Sequence, residues 1–525
     1  MYNNHSTYRN TMIFEDLENH SEIEKETKNN TLEFQVSQIS DQHNEFILSF
    51  ESKNLKVDAL AQELEIDQSR LMRKVDLCVL LPIFILFYVA NLNRANFGLL
   101  ELEGITTTLK ISQLQYYGAV AVFFAPYVVF QSFSNLVLKS IRPHFWMSTS
   151  VLIYGCVVLG TAFVRDYPSL LACQFLHGLF QSGCDSAVFY ILSNYYERSE
   201  SQKRVSFIYS AAALGVLTNN LMGSRLRVDK VGSSIPFWSW ILIIDAAITI
   251  GSAFILFFIL PDFPEGNRFL EDNETLFIVK KLEIHCGKSG YNIKYSFKNV
   301  IDQLKDPMIL LPVFISTFFG AITYGFNFME PLAFGLYFGP QALVRGTWPW
   351  LCGFFVVCVF GYFSDLMRCR YPLYFLSVLF AVYGLAVARF DRSLNPNDTL
   401  RYSSVFFSVM GAHAAFPMFI GWATFNLNGH LRKSIITSLM ICSYDLGGIY
   451  STFIIYNNDV LYTQAETAAF AFSLAAFFFS LCYLYLVHRE NAKKRTPEYK
   501  VKYEQLSKKE KILAGDRDPS FDYIS

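Results

Sequence analysis

The sequence predicts an all-α integral membrane protein with twelve transmembrane helices in two six-helix bundles. Three observations predict it. Twelve separate apolar stretches are each close to the roughly 20 residues that a helix needs to cross a bilayer core. Six of them lie on each side of a charged segment running from about Asp262 to Lys305. Hydrophobic residues make up 52% of the chain, with 51 Phe and 30 Tyr, while charges gather in tails and loops.

In chain order, residues 1–74 form a tail whose first part, Met1 to Glu51, is rich in Glu, Asp, Asn and Ser and is expected to be disordered. Leu55 to Lys74 reads as a partly helical lead-in. The tail lacks the basic start and short apolar core of a cleavable signal, so the first span is expected to direct insertion. The first bundle occupies residues 75–260, with spans at Leu77 to Leu99, Tyr116 to Leu138, Phe145 to Val164, Leu170 to Tyr190, Ser206 to Gly223 and Trp238 to Leu260. A central loop, 261–306, follows. The second bundle, 307–488, holds spans at Met308 to Phe328, Trp348 to Phe363, Tyr371 to Ala388, Ser403 to Phe425, Ile435 to Tyr456 and Ala468 to Val487, and residues 489–525 form a second tail.

An even number of spans puts both tails on one side, and an excess of Lys and Arg marks the cytoplasm. Arg70, Arg73 and Lys74 precede the first span, Arg489, Lys493, Lys494 and Arg495 follow the last, and the central loop is also basic. Both tails and the central loop are therefore expected to be cytoplasmic. Of the sequons at Asn29, Asn273 and Asn397, only Asn397 should then be reachable for glycosylation.

A formal net charge of -1 and the lack of a basic block with interleaved aromatics argue against nucleic-acid binding. Most of the ten Cys lie inside apolar runs and read as small apolar side chains, with no CxxC pair for a metal and no disulfide framework. Neither a nucleophile elbow nor a phosphate loop points to catalysis or a cofactor.

Two related bundles around a long central loop are the plan of carriers that bind substrate at the midplane and rock about it. The run from Gly361 through Asp365 and Arg368 to Arg370 follows the eighth span. It resembles the loop motif of the major facilitator superfamily, in which an acidic residue and a nearby Arg hold one state closed. Further stretches resemble the fungal allantoate permease family, the organic-anion branch of that superfamily. They include Arg70 to Pro82, Asn91 to Asn96, Tyr190 to Tyr196 with Glu200 and Lys203-Arg204, Phe237 to Trp240, Leu260-Pro-Asp-Phe-Pro264 with Arg268 to Leu270, and Gly421-Trp422. The resemblance covers about Arg70 to Arg489. It implies the major facilitator fold and a carrier for small carboxylates such as allantoate or a vitamin acid, commonly moved with protons.

Arg94 is the leading site residue. A permanently charged guanidinium in the outer part of a span is costly and faces a cavity, pairs with an acidic neighbour, or snorkels to the interface. Its planar fork suits a carboxylate. In the fourth span Gln174, His177, Gln181 and Asp185 are spaced by three, four and four residues, which puts them on one face of a continuous helix. That stripe either lines a cavity or bonds neighbouring helices together.

The resemblance implies Arg at Gln174, Glu at Gln181 and Gln131, Asp at Asn93, and Pro at Phe133 and Ser186, so this chain keeps the scaffold while losing charges; Asn93, Gln131, Gln174 and Gln181 stay, with Arg94, candidates to bind the substrate. Asp185 and His177 are the candidates to carry a coupled proton in place of Gln181. Tyr324, Asn327, His413 and Glu330, placed just beyond the seventh span, are candidates to bind the rest of a substrate, or serve as packing contacts. Asp245 and Asp445 read as residues near span ends, and Asp185 is open to a pairing with the basic loop after the fourth span. The expectation is thus a monomeric carrier of a small organic anion with protons, in the plasma membrane or an internal membrane. Its alternative is a nutrient sensor on the same scaffold that does not transport.

Overall fold

The computed structural model describes residues 54–197, 200–228, 235–286, 305–367, 369–391, 399–427, 430–455, 463–506 and, near the C-terminus, 517–519, 521 and 523. The sequons at Asn29 and Asn397, and Arg368 of the predicted gate, lie outside them. Residues 54–63 form a helix that ends at Glu65, a unit separate from the rest of the chain.

Among the described residues every element is helical. A lead-in helix, Gln68–Val75, runs through one wider turn, Asp76–Leu80, into α1 (Leu81–Leu102). Next come α2 (Gln113–Ser140), α3 (Pro143–Thr161), α4 (Tyr167–Gln181), α5 (Cys184–Tyr195), α6 (Ser201–Val228) and α7 (Phe237–Ile259). The central segment holds α8 (Asp272–Cys286). The second half contains α9 (Pro307–Phe338), α10 (Ala342–Met367), α11 (Tyr371–Phe390), α12 (Thr399–Phe425), α13 (His430–Ile455) and α14 (Thr463–Lys494). A short α15, Pro497–Glu504, follows in the tail.

Each predicted span therefore falls, over its described residues, on one helix or, for the fourth, on two, and the fold is the twelve-helix arrangement in two bundles. Nine of the described helices are long and apolar enough to cross a membrane on length and composition. The other three spans fall in α2, in α13 and in the pair α4 and α5.

Three sequence expectations change. The fourth span is not one continuous helix: it breaks at Ser182 and Gly183, so Asp185 belongs to the first turn of α5, separate from the Gln174, His177 and Gln181 face of α4. The seventh span runs ten residues past Phe328, which places Glu330 inside α9 and buried. Asp445 and Asp245 lie well inside α13 and α7, both fully buried, not at helix ends.

Local chemistry accounts for the helix starts. Asp166 and Asp306 accept backbone N–H groups of Ser169 and Met308 at 2.9 and 3.1 Å, and Pro follows within the first turn in both helices. On the tail side, α8 is tied to the first half by Lys74 to Glu274 at 2.6 Å and by Lys281 to Glu200 at 3.2 Å.

The halves meet through α6 against α10 and α12, α2 against α13, and α1 against α9. Gly98 permits the last of these, because a side-chain carbon there would stand 3.1 Å from the Cα of Phe328. Aromatic rings fill the same seam: Phe97 lies 5.8 Å from Phe328, and Phe124 lies 5.0 Å from Tyr324. On the tail side Gly361 plays a similar part, since a Cβ would reach within 3.3 Å of Lys203 Cα.

Candidate substrate site between the two halves

Twenty-two residues of mostly apolar α1 carry Arg94 into the seam, where it is 4% exposed. Its Nη2 donates to Asp185 Oδ2 of α5 at 2.7 Å, and its Nη1 donates to the Tyr324 hydroxyl of α9 at 2.9 Å. Tyr324 in turn donates to Asp445 Oδ1 of α13 at 2.7 Å, and that carboxylate lies 3.8 Å from Nη1. The guanidinium also donates through Nε to Ala90 O at 3.3 Å and lies over the Tyr127 ring. Of the three fates open to this Arg, pairing with an acidic neighbour is the one observed. The pair sits at the junction of both halves, because Asp185 comes from the first and Tyr324 and Asp445 from the second.

Charge and hydrogen bonding leave this cluster incomplete. One guanidinium faces two buried carboxylates, and three of its five N–H groups are used. Around it, Tyr127 Oη, Tyr154 Oη, His177 Nε2, Gln181 Oε1 and Asp185 Oδ1 are buried without hydrogen-bond partners among the described residues, as is Gln174 Oε1 farther along the same face of α4. Buried polar atoms are normally paired with protein or ordered water.

Not all predicted site residues converge here. Gln181 does, donating to Ala90 O at 2.7 Å beside Arg94. Gln131 reaches the α2 and α13 seam, where Cys442 Sγ donates to its Oε1 at 3.1 Å, and it stands next to Asp445. His177 sits among rings, 4.9 Å from Phe123 and 5.7 Å from Tyr154. Asn93 turns away toward α7, donating to Thr249 Oγ1 at 2.9 Å. Asn327 is half-buried on α9, one turn beyond Tyr324. His413 meets Trp350 edge-on at 4.5 Å within the second half. Asp185 pairs with Arg94, not with the loop after α5; Arg204 of α6 instead grips Asp76 at 2.7 and 3.1 Å.

Asp445 is the residue that sequence reading undervalued. Its signal was present: an acidic side chain ten residues inside a predicted span from Ile435 to Tyr456 is a functional candidate by its depth alone.

At the tail-side end Asp365 Oδ2 accepts the backbone N–H of Lys203 in the first turn of α6 at 2.9 Å. Gln202 Nε2 donates to Pro417 O of α12 at 2.9 Å. Arg370, which attracts Asp365, donates to Gly421 O at 2.9 Å. The predicted gate position therefore joins the halves, through a carboxylate on a peptide N–H.

Residues 83–452 match the family model of the Major Facilitator Superfamily. The chain is 23% identical over 431 residues to a high-affinity nicotinic acid transporter of Saccharomyces cerevisiae, covering 82% of this chain and 79% of that one. It is 25% identical over 387 residues to the uncharacterized transporter C1683.12 of Schizosaccharomyces pombe, covering 73% and 78%. The partially occluded inward-open conformation of the xylose transporter XylE from E. coli superposes with a TM-score of 0.59 at 12% identity, over 77% of this chain and 98% of that one. The chain therefore belongs to the major facilitator superfamily, whose members are membrane transporters and not enzymes.

Proposed function

We propose that this protein carries a small organic carboxylate across the membrane with protons, by alternating access, as a member of the allantoate permease branch. The observation that carries the reading is the Arg94 cluster: a buried guanidinium at the junction of the halves, with N–H groups to spare. A substrate carboxylate would take the unused donors on Nη1 and Nη2 in the forked geometry that Arg favours.

Charge supplies the reason for coupling. With both Asp185 and Asp445 ionised the cluster already holds one negative charge too many, and a substrate anion would make the excess two. Uncompensated buried charge is costly, so a proton on one carboxylate accompanies the anion. Geometry favours Asp185 and Asp445 over His177 for that role, because His177 lies among rings while both carboxylates adjoin Arg94. Gln131 and Gln181 then act as neutral hydrogen-bonding neighbours. We further read both tails as cytoplasmic, the working unit as one chain and the plasma membrane as the site of action.

The relative that transports nicotinic acid makes nicotinate the first substrate to try. Uptake of labelled nicotinate, pantothenate, biotin and allantoate into vesicles holding the purified protein, with and without an inward proton gradient, tests the reading. Saturable uptake of at least one acid, lost in Arg94→Ala, is expected. Saturable binding without flux for every acid would support the sensor reading instead, which the neutral residues at Gln131 and Gln181 favour.

A further inference from the structure

The Leu260 to Leu270 segment takes no part in the Arg94 cluster, yet it is an ordered structure. Asp262 accepts both the backbone N–H of His144 at 3.3 Å and its ring Nδ1, 2.8 Å away, at the start of α3. Tyr195 donates to the Asp262 carbonyl, and Asn267 adds its amide to the same carbonyl at 3.3 Å. The Asn267 side chain then accepts the Arg268 backbone N–H at 2.8 Å, which fixes where Arg268 leaves the loop.

Beside this loop is a cleft of about 390 Å³, open to its surroundings, between the start of α1, the start of α3 and the end of α7. Its walls are apolar and turned outward: Leu77, Leu81 and Phe258 are 70, 50 and 78% exposed. Such side chains at the end of spanning helices face hydrocarbon. At the polar end of the cleft the Asp262 carboxylate is buried and held by His144, whereas Arg268 is exposed and its guanidinium has no partner among the described residues. An apolar trough capped, among the described residues that line it, by one free cation complements a molecule with an acyl chain and an anionic head.

We infer that this cleft is a binding site for a phospholipid with an anionic headgroup, its phosphate on Arg268 and an acyl chain along Leu77, Leu81 and Phe258. Lys and Arg at a bilayer surface attract anionic lipid, and the Asn267 side chain fixes where Arg268 leaves the loop. None of the residues around Arg94 lines the cleft, so the site is independent of which substrate is carried.

Native mass spectrometry of the full-length protein, offered phosphatidic acid and phosphatidylcholine of identical chains, tests the site. Retention of phosphatidic acid about fivefold over phosphatidylcholine is expected, the preference of one surface cation. Arg268→Gln should bring the ratio to one, Arg268→Lys should keep most of it, and Leu81→Trp, which fills the trough, should release both lipids. No preference in the unmodified protein, or a preference untouched by Arg268→Gln, overturns the inference. So does displacement of the lipid by equimolar glycerol phosphate, which would mark a site for a soluble phosphate.

Discussion

The centre of the molecule and its tail-side closure both join the two halves, and they do so with opposite chemistry. At the centre, full charges meet across the seam and several polar atoms lack partners among the described residues. At the closure, a carboxylate takes a peptide N–H and an amide side chain donates to a carbonyl, so the same seam is held by ordinary hydrogen bonds to backbone. On the function proposed above, the difference separates two tasks. A contact that must be exchanged for a guest needs strong but replaceable partners, while a contact that must merely open and shut needs only a modest, self-contained bond.

The largest effect that would sharpen this contrast is at Arg94. Arg94→Ala removes one partner of a buried charge pair, a change that costs about 2–5 kcal/mol, so uptake should fall by on the order of a hundredfold. The protein should still insert, which surface labelling would show. Arg94→Lys should rescue little, because a point charge cannot reproduce the forked contact. Near-normal uptake in the alanine variant would place the guest elsewhere and dissolve the contrast.

Asp445→Asn comes next, with Asp185→Asn as its companion. One coupled proton makes accumulation respond about tenfold per pH unit of gradient, and at least one of the two variants should lose that response while exchange of labelled for unlabelled substrate continues. If the unmodified protein ignores external pH, the carboxylates are structural.

Smaller still is Asp365→Asn. The amide remains an acceptor but loses its charge, which weakens the bond to Lys203 by about 1 kcal/mol. The maximal rate should move by several-fold and substrate affinity hardly at all, since the substitution biases which end is open without touching the guest. A large change in affinity would break the separation of tasks.

The least effect is expected at the half-buried pair of Lys74 and Glu274. Partial burial pushes the Glu274 carboxyl up, but the hydrogen bond and charge of Lys74, with the Glu271 backbone, hold it below its ordinary value. A depressed carboxyl stabilises above its unfolded value and loses that contribution as pH falls through the folded one. Lys74→Ala should therefore lower the melting temperature slightly at pH 7, for a loss of about 0.5 kcal/mol, and not at all in strong acid.

Much of this was readable in the sequence. Hydropathy located every span, because a bilayer demands a long apolar helix whatever the tertiary contacts. Arg94 stood out because its cost in a span is high wherever it points. What the sequence concealed was partnership. Asp445 lies over 350 positions from Arg94, and only the packing of α1 against α9 and α9 against α13 brings them within 3.8 Å. The break at Ser182 and Gly183 was hidden because neither residue forbids a helix; what the sequence also does not show is that Gly183 is closely packed, a Cβ there standing 3.1 Å from Ser134 Cβ and 3.3 Å from Trp146 Nε1. Helix ends such as that of α9 drifted because interior residues beyond the apolar core, Glu330 among them, are sheltered by neighbours, not by lipid.

Helix α6 touches the second half near both of its extremities: Gln202 and Lys203 at one, and at the other Gly223, whose Cβ would stand 2.9 Å from Leu343, and Asn220, beside Gly346. At 28 residues it is a rod of about 42 Å. Such a beam works like a seesaw, and a wedge beneath either end stalls the whole. A compound that never reaches the Arg94 cluster could thus silence the protein from whichever face is easier to reach.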